Sequence, residues 1–217
     1  MGIIIVGTTS FSQTLYKILK KEAINVIAFS TYKEFIKEYE IEGLPVIAFE
    51  DINNLFEKGT YKLLNTIGYT NMNSIRKKVY LDIKKYDYPI YTFISKEAKV
   101  YSEDIGDGSI IMPSAFIGPY VKIGICNIIN PSCTLTHHIN IGNYNFIGWG
   151  ATCGGSVEIG NHCFIGLHST IKNKIYIADY TLIGAGSNVI KSTEPYSVNV
   201  GNPARQLIGK NSLETKI

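Results

Sequence analysis

The sequence predicts two folds in series. A small doubly wound α/β domain with a parallel sheet occupies residues 1–92, and a parallel β-helix of hexapeptide repeats occupies 93–190. A C-terminal extension follows over 191–217. Three observations predict this arrangement. From Ile105 to Val189 an aliphatic residue returns at every sixth position without insertion, and only Cys153 replaces it. Glycine often follows the aliphatic residue, as at Gly106, Gly118, Gly124, Gly142, Gly148, Gly160, Gly166 and Gly184. Before the repeats, short apolar runs alternate with segments of helical periodicity, the βαβα order of a doubly wound sheet.

A period of six fits neither an α-helix nor the two-residue alternation of a strand. It is the mark of a solenoid whose repeats each bury one apolar residue against the coils above and below. Three hexads make one triangular coil, so residues eighteen apart stack at the strand spacing of roughly 4.8 Å. The glycines after the aliphatic positions are expected at corners where the backbone needs freedom. Sequence separation then reads directly as distance.

In the N-terminal part, Ile3–Val6 is a buried parallel strand ended by Gly7. Leu15, Ile18 and Leu19 recur at helical spacing. Further strands are expected over Asn25–Phe29, Pro45–Phe49 and Lys62–Ile67. Helices are expected over Tyr32–Tyr39, after Asp51 as N-cap, and over Asn73–Lys85. Pro89 and the strand-like Ile90–Ile94 lead into the repeats. In such sheets ligands bind at the carboxyl ends of the strands, which here carry Gly7-Thr8-Thr9-Ser10, Ser30-Thr31 and Gly68-Tyr69. The first of these is not the G-x-G-x-x-G of a dinucleotide site. Its hydroxyls and backbone N–H groups at a helix N-terminus still suit a phosphate, with an ordinary strand-to-helix turn as the competing reading. After the repeats, Lys191–Tyr196 leaves the frame, Gly201–Arg205 forms a turn, and the polar last ten or so residues are expected to be loosely held.

Composition excludes several classes. The net charge of +3 is thinly spread over 217 residues, with no basic patch interleaved with aromatics, so nucleic acid is not an expected partner. No run of eighteen apolar residues exists to span a membrane. The opening Met1–Gly7 lacks the basic region of a signal peptide. Cys126, Cys133, Cys153 and Cys163 show no CxxC spacing. They are expected as reduced core thiols of a cytoplasmic protein.

Four histidines remain as chemistry-bearing residues: His137, His138, His162 and His168. His137 and His138 stand third and fourth in the hexad from Leu135, outside the inward slot. Eighteen residues after His137 comes Gly155, inside Cys153-Gly154-Gly155-Ser156. A glycine pair one coil above an exposed imidazole lets a ligand reach a bare N–H. Imidazole beside such a donor is the minimum for acyl transfer: the base takes a proton from the attacking amine or hydroxyl, and the amide stabilises the oxyanion. The rival is a metal site of the kind γ-class carbonic anhydrases carry on similar scaffolds. His162 and His168, six apart, should fall on different faces of the prism, which disfavours joint chelation within one chain.

The motifs Ile3-Ile4-Ile5-Val6-Gly7, Gly43-Leu44-Pro45-Val46, His137–Gly142, Cys153–Gly160, Ile183–Gly186 and Gly201-Asn202-Pro203-Ala204-Arg205 together resemble the sugar O-acyltransferase family of left-handed β-helix enzymes. That family includes sialic acid O-acetyltransferases and the N-acetyltransferases of nucleotide-linked 4-amino sugars. The resemblance implies a left-handed solenoid, a homotrimer, and acetyl-CoA lying in grooves between neighbouring β-helices, with no metal. The family's catalytic histidine falls on His137 and its N–H donor on Gly155. His138, counted with them as a catalytic residue, stands where the amino-sugar enzymes commonly have Glu and would orient His137 less strongly than a carboxylate. Gly184, Ala185, Gly186, Pro203, Ala204 and Arg205 would lie along CoA with Gly155. Gly7, Thr8, Thr9, Ser10, Ser30, Thr31, Gly68 and Tyr69 would serve the nucleotide-sugar. The implied activity is acetylation of the amino group of a nucleotide-linked deoxyamino sugar in surface glycan biosynthesis, with O-acetylation of a sugar hydroxyl as the alternative. A non-catalytic assembly solenoid is the reading from another class.

Overall fold

The computed structural model describes residues 2–216, and Met1 and Ile217, at the ends of the first and last predicted segments, lie outside them. The chain divides into two compact units. One runs to Gly68 and resumes over Ile75–Thr92; the other joins Tyr69–Ser74 to the chain from Phe93 onward.

The first unit is built on strands β1 (Gly2–Val6), β2 (Val26–Thr31), β3 (Glu40–Ile41), β4 (Leu44–Ala48) and β5 (Tyr61–Asn65), in the order β3-β4-β2-β1-β5. All neighbours are parallel except β3 and β4. Helices α1 (Ser10–Lys21), α2 (Ile52–Leu55) and α3 (Ser74–Lys85) complete it. Ile4, Val6, Ala28 and Leu63 pack one sheet face with Val79 and Ile83 of α3. On α1, Leu15 and Leu19 are buried and Tyr16 meets the edge of Phe29 at 5.5 Å.

Two expected helices are cut short. Tyr32–Tyr39 holds only a 3-10 turn, Lys33–Phe35. The chain is instead drawn into a hairpin in which Ile41 pairs Leu44 across Glu42 and Gly43, both at positive φ (55° and 79°), the geometry of a tight two-residue turn. Asp51 stands at the N-cap of α2 as expected, but without a side-chain capping bond: it also ends the 3-10 turn Phe49–Asp51, and α2 has only four residues.

The second unit is a parallel β-helix with three sheets. The first face carries Ile128–Ile129, Phe146–Ile147, Phe164–Ile165 and Leu182–Ile183 among its strands. The second carries Phe116–Ile117, Thr134–Leu135, Thr152–Cys153, Thr170–Ile171 and Asn188–Val189. The third carries Lys122–Ile123, Asn140–Ile141, Glu158–Ile159 and Tyr176–Ile177. From Ile105 paired with Ile123 to Ile171 paired with Val189, every coil keeps the eighteen-residue register. Outside that span it slips: Phe93 pairs Ile110, one residue short, and Leu182 pairs Val198, two short. The sixth-position residues, Cys153 included, point inward and form one continuous core. All four cysteines are buried, and none is in a disulfide. Burial pushes the thiols of Cys133, Cys153 and Cys163 up to about 12.

The glycines after the aliphatic residues do a different job from the one expected. None of them has positive φ. They are small because the next coil lies where a side chain would go: a Cβ on Gly118 would fall 1.4 Å from the Thr136 carbonyl oxygen. Left-handed φ occurs two residues later, at the fourth hexad position, on ordinary residues such as Tyr120, His138, Tyr144, Ser156 and Lys174, with glycine there at Gly150 and Gly186.

Beyond Val189 the frame is lost but the sheet continues. Val198–Gly201 extends the first face, and Ala204–Gln206 returns antiparallel to it. The tail is more tightly held than its polarity suggests. Ser212 is buried, its amide donating to the Tyr196 carbonyl and its hydroxyl to that of Tyr180.

The Tyr69–Ser74 loop covers the outer side of the first face. Tyr69 meets Phe146 and Phe164 edge-on at 4.9 and 5.1 Å, and those two rings stack on each other at 5.3 Å. Met72 and Asn73 are buried, and the Asn73 amide donates to the Cys163 carbonyl. Such aromatic edge contacts add to simple area burial.

Candidate functional site

His137 and Gly155 occupy the corner that joins the second face to the third, one coil apart. The register Thr134 to Thr152 and Leu135 to Cys153 carries through the corner, where the Ser156 amide donates to the His137 carbonyl at 3.0 Å. The His137 imidazole occupies the space beside the bare Cα of Gly155. A Cβ on that glycine would meet ring atoms at 2.3, 2.6 and 3.0 Å. Any other residue at 155 would therefore displace the ring.

The amide of Gly155 has no hydrogen-bond partner among the described residues. The cause is visible in another corner. Where the third face joins the first, the amides at the same hexad position are capped by a side chain eighteen residues on: Ile125 by Asn143, Asn143 by Asn161, and Asn161 by Asp179, at 2.8–2.9 Å. In the histidine corner the corresponding column is Pro119, His137, Gly155 and Asn173. There Gly155 has no side chain to cap His137, and Asn173 does not cap Gly155. Buried N–H groups are nearly always paired, so an open amide in a buried residue is available to a ligand.

His138 completes the corner. It sits at left-handed φ (53°), its amide donating to the Pro119 carbonyl at 3.1 Å. Its ring lies 4.6 Å from that of Tyr120. The two histidines share a hydrogen bond between their Nδ1 atoms at 3.1 Å. One ring must donate and the other accept. With the proton on Nδ1 of His137, its Nε2 is left free as a base. The structure thus gives the contact through which His138 can orient His137. Tyr120, eighteen residues before His138, was open to discovery by the same stacking rule.

The other histidines lie elsewhere. His162 is buried in an aromatic column between Tyr144 and Tyr180, with ring centroids 5.1 and 4.6 Å away, and its Nδ1 meets the Met72 carbonyl oxygen. His168 lies in the corner joining the first face to the second, against Gly150. The two are at different corners, as their spacing predicts. Among the described residues no three His, Cys, Asp or Glu side chains are grouped to hold a metal.

Gly184, Ala185 and Gly186 turn the same corner as His168, three coils after the turn at Ser132. Pro203, Ala204 and Arg205 are brought beside them by the terminal hairpin: a Cβ on Gly184 would lie 2.8 Å from Val200, which pairs Arg205. This group and the His137–Gly155 pair occupy different corners of one prism, the two that flank the second face. A single chain does not bring them together.

In the first unit, Gly7–Ser10 leads from β1 into α1, and Ser30-Thr31 ends the adjacent β2, with the Gly7 amide donating to the Ser30 carbonyl. Gly7 has φ 137°, and a Cβ there would strike Thr66 and Ser12, whose hydroxyls bond at 2.8 Å. Thr9 stands at the N-cap of α1 without a side-chain capping bond. The Gly68 carbonyl accepts from Arg76. Tyr69 belongs to the second unit, its ring edge-on to the stacked pair Phe146 and Phe164. Its aromatic bulk seats the loop on an apolar face, a contact no local pattern announces.

No protein-family profile and no curated protein sequence matches the chain. Solved structures do. A variant of perosamine N-acetyltransferase from Caulobacter crescentus, in complex with CoA and GDP-perosamine, is 22% identical with a TM-score of 0.86, over 95% of this chain and 97% of that one. The acetyltransferase domain of PglB from Neisseria gonorrhoeae is 19% identical with a TM-score of 0.84, over 95% and 99%. WeeI from Acinetobacter baumannii is 23% identical with a TM-score of 0.85, over 95% and 100%. The chain therefore has the two-part fold of the left-handed β-helix sugar acyltransferases, an N-terminal α/β unit followed by a hexapeptide-repeat solenoid.

Proposed function

We propose that the protein transfers acetyl from acetyl-CoA to the amino group of a nucleotide-linked deoxyamino sugar. One observation carries the reading: an exposed imidazole lies against a glycine whose N–H is unpaired. The acetyl carbonyl would accept from the Gly155 amide, which stabilises the oxyanion as the amine attacks. His137 Nε2 takes the proton from the attacking nitrogen. The C–N bond forms, the C–S bond breaks, and the proton passes on to the departing thiolate. His138, accepting from Nδ1, holds the tautomer that leaves Nε2 open. The first unit would hold the nucleotide through the Gly7–Ser10 turn. The resemblance to a structure solved with CoA and GDP-perosamine supports this choice of acceptor class.

The reading requires a trimer, because one chain separates the histidine corner from the Gly184–Gly186 corner. The faces suggest how it closes. Outward residues of the first face, Ile110, Ile128, Phe146 and Phe164, are already buried. Those of the third, Lys122, Asn140, Glu158 and Tyr176, are exposed and mostly polar. The second face presents Phe116, Thr134 and Thr152, uncharged and half-buried. Closure of three subunits around that face would set the histidine corner of each beside the Gly184–Gly186 corner of the next.

The test is release of free thiol from acetyl-CoA with UDP-, dTDP- and GDP-linked amino sugars, with product mass recorded. One acceptor gaining an acetyl group on nitrogen is the expected result. Acetylation of a hydroxyl alone would move the assignment to the O-acetyl class. No turnover with any acceptor would overturn it.

A further inference from the structure

Trp149, the chain's single tryptophan, stands at the corner joining the first face to the second, and 48% of it is exposed. Its backbone is pinned: the carbonyl accepts from the His168 amide at 2.8 Å, and the His168 ring fills the space beside Gly150. The indole itself has no hydrogen bond or ring contact among the described residues. A large apolar ring presented this way, with Leu167 equally exposed one coil later, calls for a ligand or partner to cover it.

Its position along the solenoid says what that ligand is. Trp149 and Gly155 turn successive corners of one coil, on either side of the Thr152–Cys153 strand. They therefore lie within about a third of the coil spacing of each other along the axis, roughly 1.6 Å. A three-fold rotation about an axis parallel to the solenoid preserves height. In the trimer proposed above, the indole of one subunit comes nearly level with the open Gly155 amide of the next, across the groove. We propose that Trp149 closes the acyl end of the neighbouring site and restricts the donor to short acyl thioesters. This rests on the acyl-transfer reading and adds a specificity-determining residue from a second copy of the chain. A thioester whose carbonyl is bound at the Gly155 amide would direct its acyl chain at the indole. An acetyl methyl fits before it, and a longer chain collides with it.

The experiment compares acetyl-, propionyl-, butyryl- and hexanoyl-CoA with wild type, Trp149→Phe and Trp149→Ala. Binding of each thioester is measured by calorimetry without acceptor, and turnover with the best acceptor. Trp149→Ala should shift the butyryl-to-acetyl preference by about 10- to 100-fold, the range that one or two methylenes command in an apolar pocket. Trp149→Phe should fall between. An unchanged preference overturns the inference. So does an equal loss of affinity for all four thioesters, which would mean that the indole packs on the CoA arm they share. A wild type that binds acetyl-CoA but acetylates nothing would count against the acyl-transfer reading alone, while the binding ratios still judge Trp149.

Discussion

Two corners of the same prism differ in one respect, and the difference separates structure from chemistry. Where the third face meets the first, Asn143, Asn161 and Asp179 form a ladder in which each side chain caps the amide one coil below. Tyr144, His162, Tyr180 and Tyr196 stack beside it. The amides of Ile125, Asn143 and Asn161 are there spent on the fold. Where the second face meets the third, the ladder is missing, and the amide of the glycine one coil above an imidazole has no partner among the described residues. A solenoid can thus make a site by omission. The coil geometry is unchanged, and a donor that the side chain one coil on does not cap is left open to a ligand.

The contrast can be broken from either side. The largest expected effect is that of His137→Ala, which should lower kcat by two to four orders of magnitude, as for a lost general base, with an unchanged melting temperature. Wild-type-like kcat would place the chemistry elsewhere. Gly155→Ala keeps the amide but sets a methyl where the ring now lies. It should cost about 10- to 100-fold in kcat, a fraction of a full base or oxyanion donor, while KM for the nucleotide-sugar holds. If that variant matches wild type, the close approach of ring to glycine has no catalytic meaning. The smallest effect on rate belongs to the closed corner. Asn161→Ala strips the cap from Asn143 and should destabilise the fold by about 1–3 kcal/mol, the cost of an orphaned buried donor, measured by urea unfolding. Its kcat should stay within about twofold of wild type, since only interactions that strengthen in the transition state lower the barrier and Asn161 caps a backbone amide in another corner. A large loss of activity would mean the two corners are not independent.

Most of the solenoid was legible because its rule is local: one inward side chain every sixth residue, and a register that turns separation into distance. The pairing of His137 with Gly155 followed from that rule alone. What was missed depends on atoms far away in sequence. The second-position glycines look like corner residues, yet they are small because of a neighbouring coil's backbone. The true left-handed positions carry Tyr, His, Ser and Lys, whose composition hides them. In the first unit, Tyr32–Tyr39 has helical spacing, but the Glu42-Gly43 hairpin claims its end. Tyr69 follows a strand end like any ligand-binding residue, and only Phe146 and Phe164 decide its place. The terminal strands escaped notice because the register slips by two residues just before them.

The loop from Tyr69 to Ser74 has a consequence for how the chain is made. Its residues leave the ribosome soon after Asn65 completes the last strand of the α/β sheet, yet their seat, Phe146 and Phe164, is synthesised much later. Throughout that interval Met72, wholly enclosed at the end, remains bare to solvent, the kind of transient apolar exposure that invites aggregation. A fragment truncated after residue 92 would keep this condition permanently and should be stickier than either intact unit.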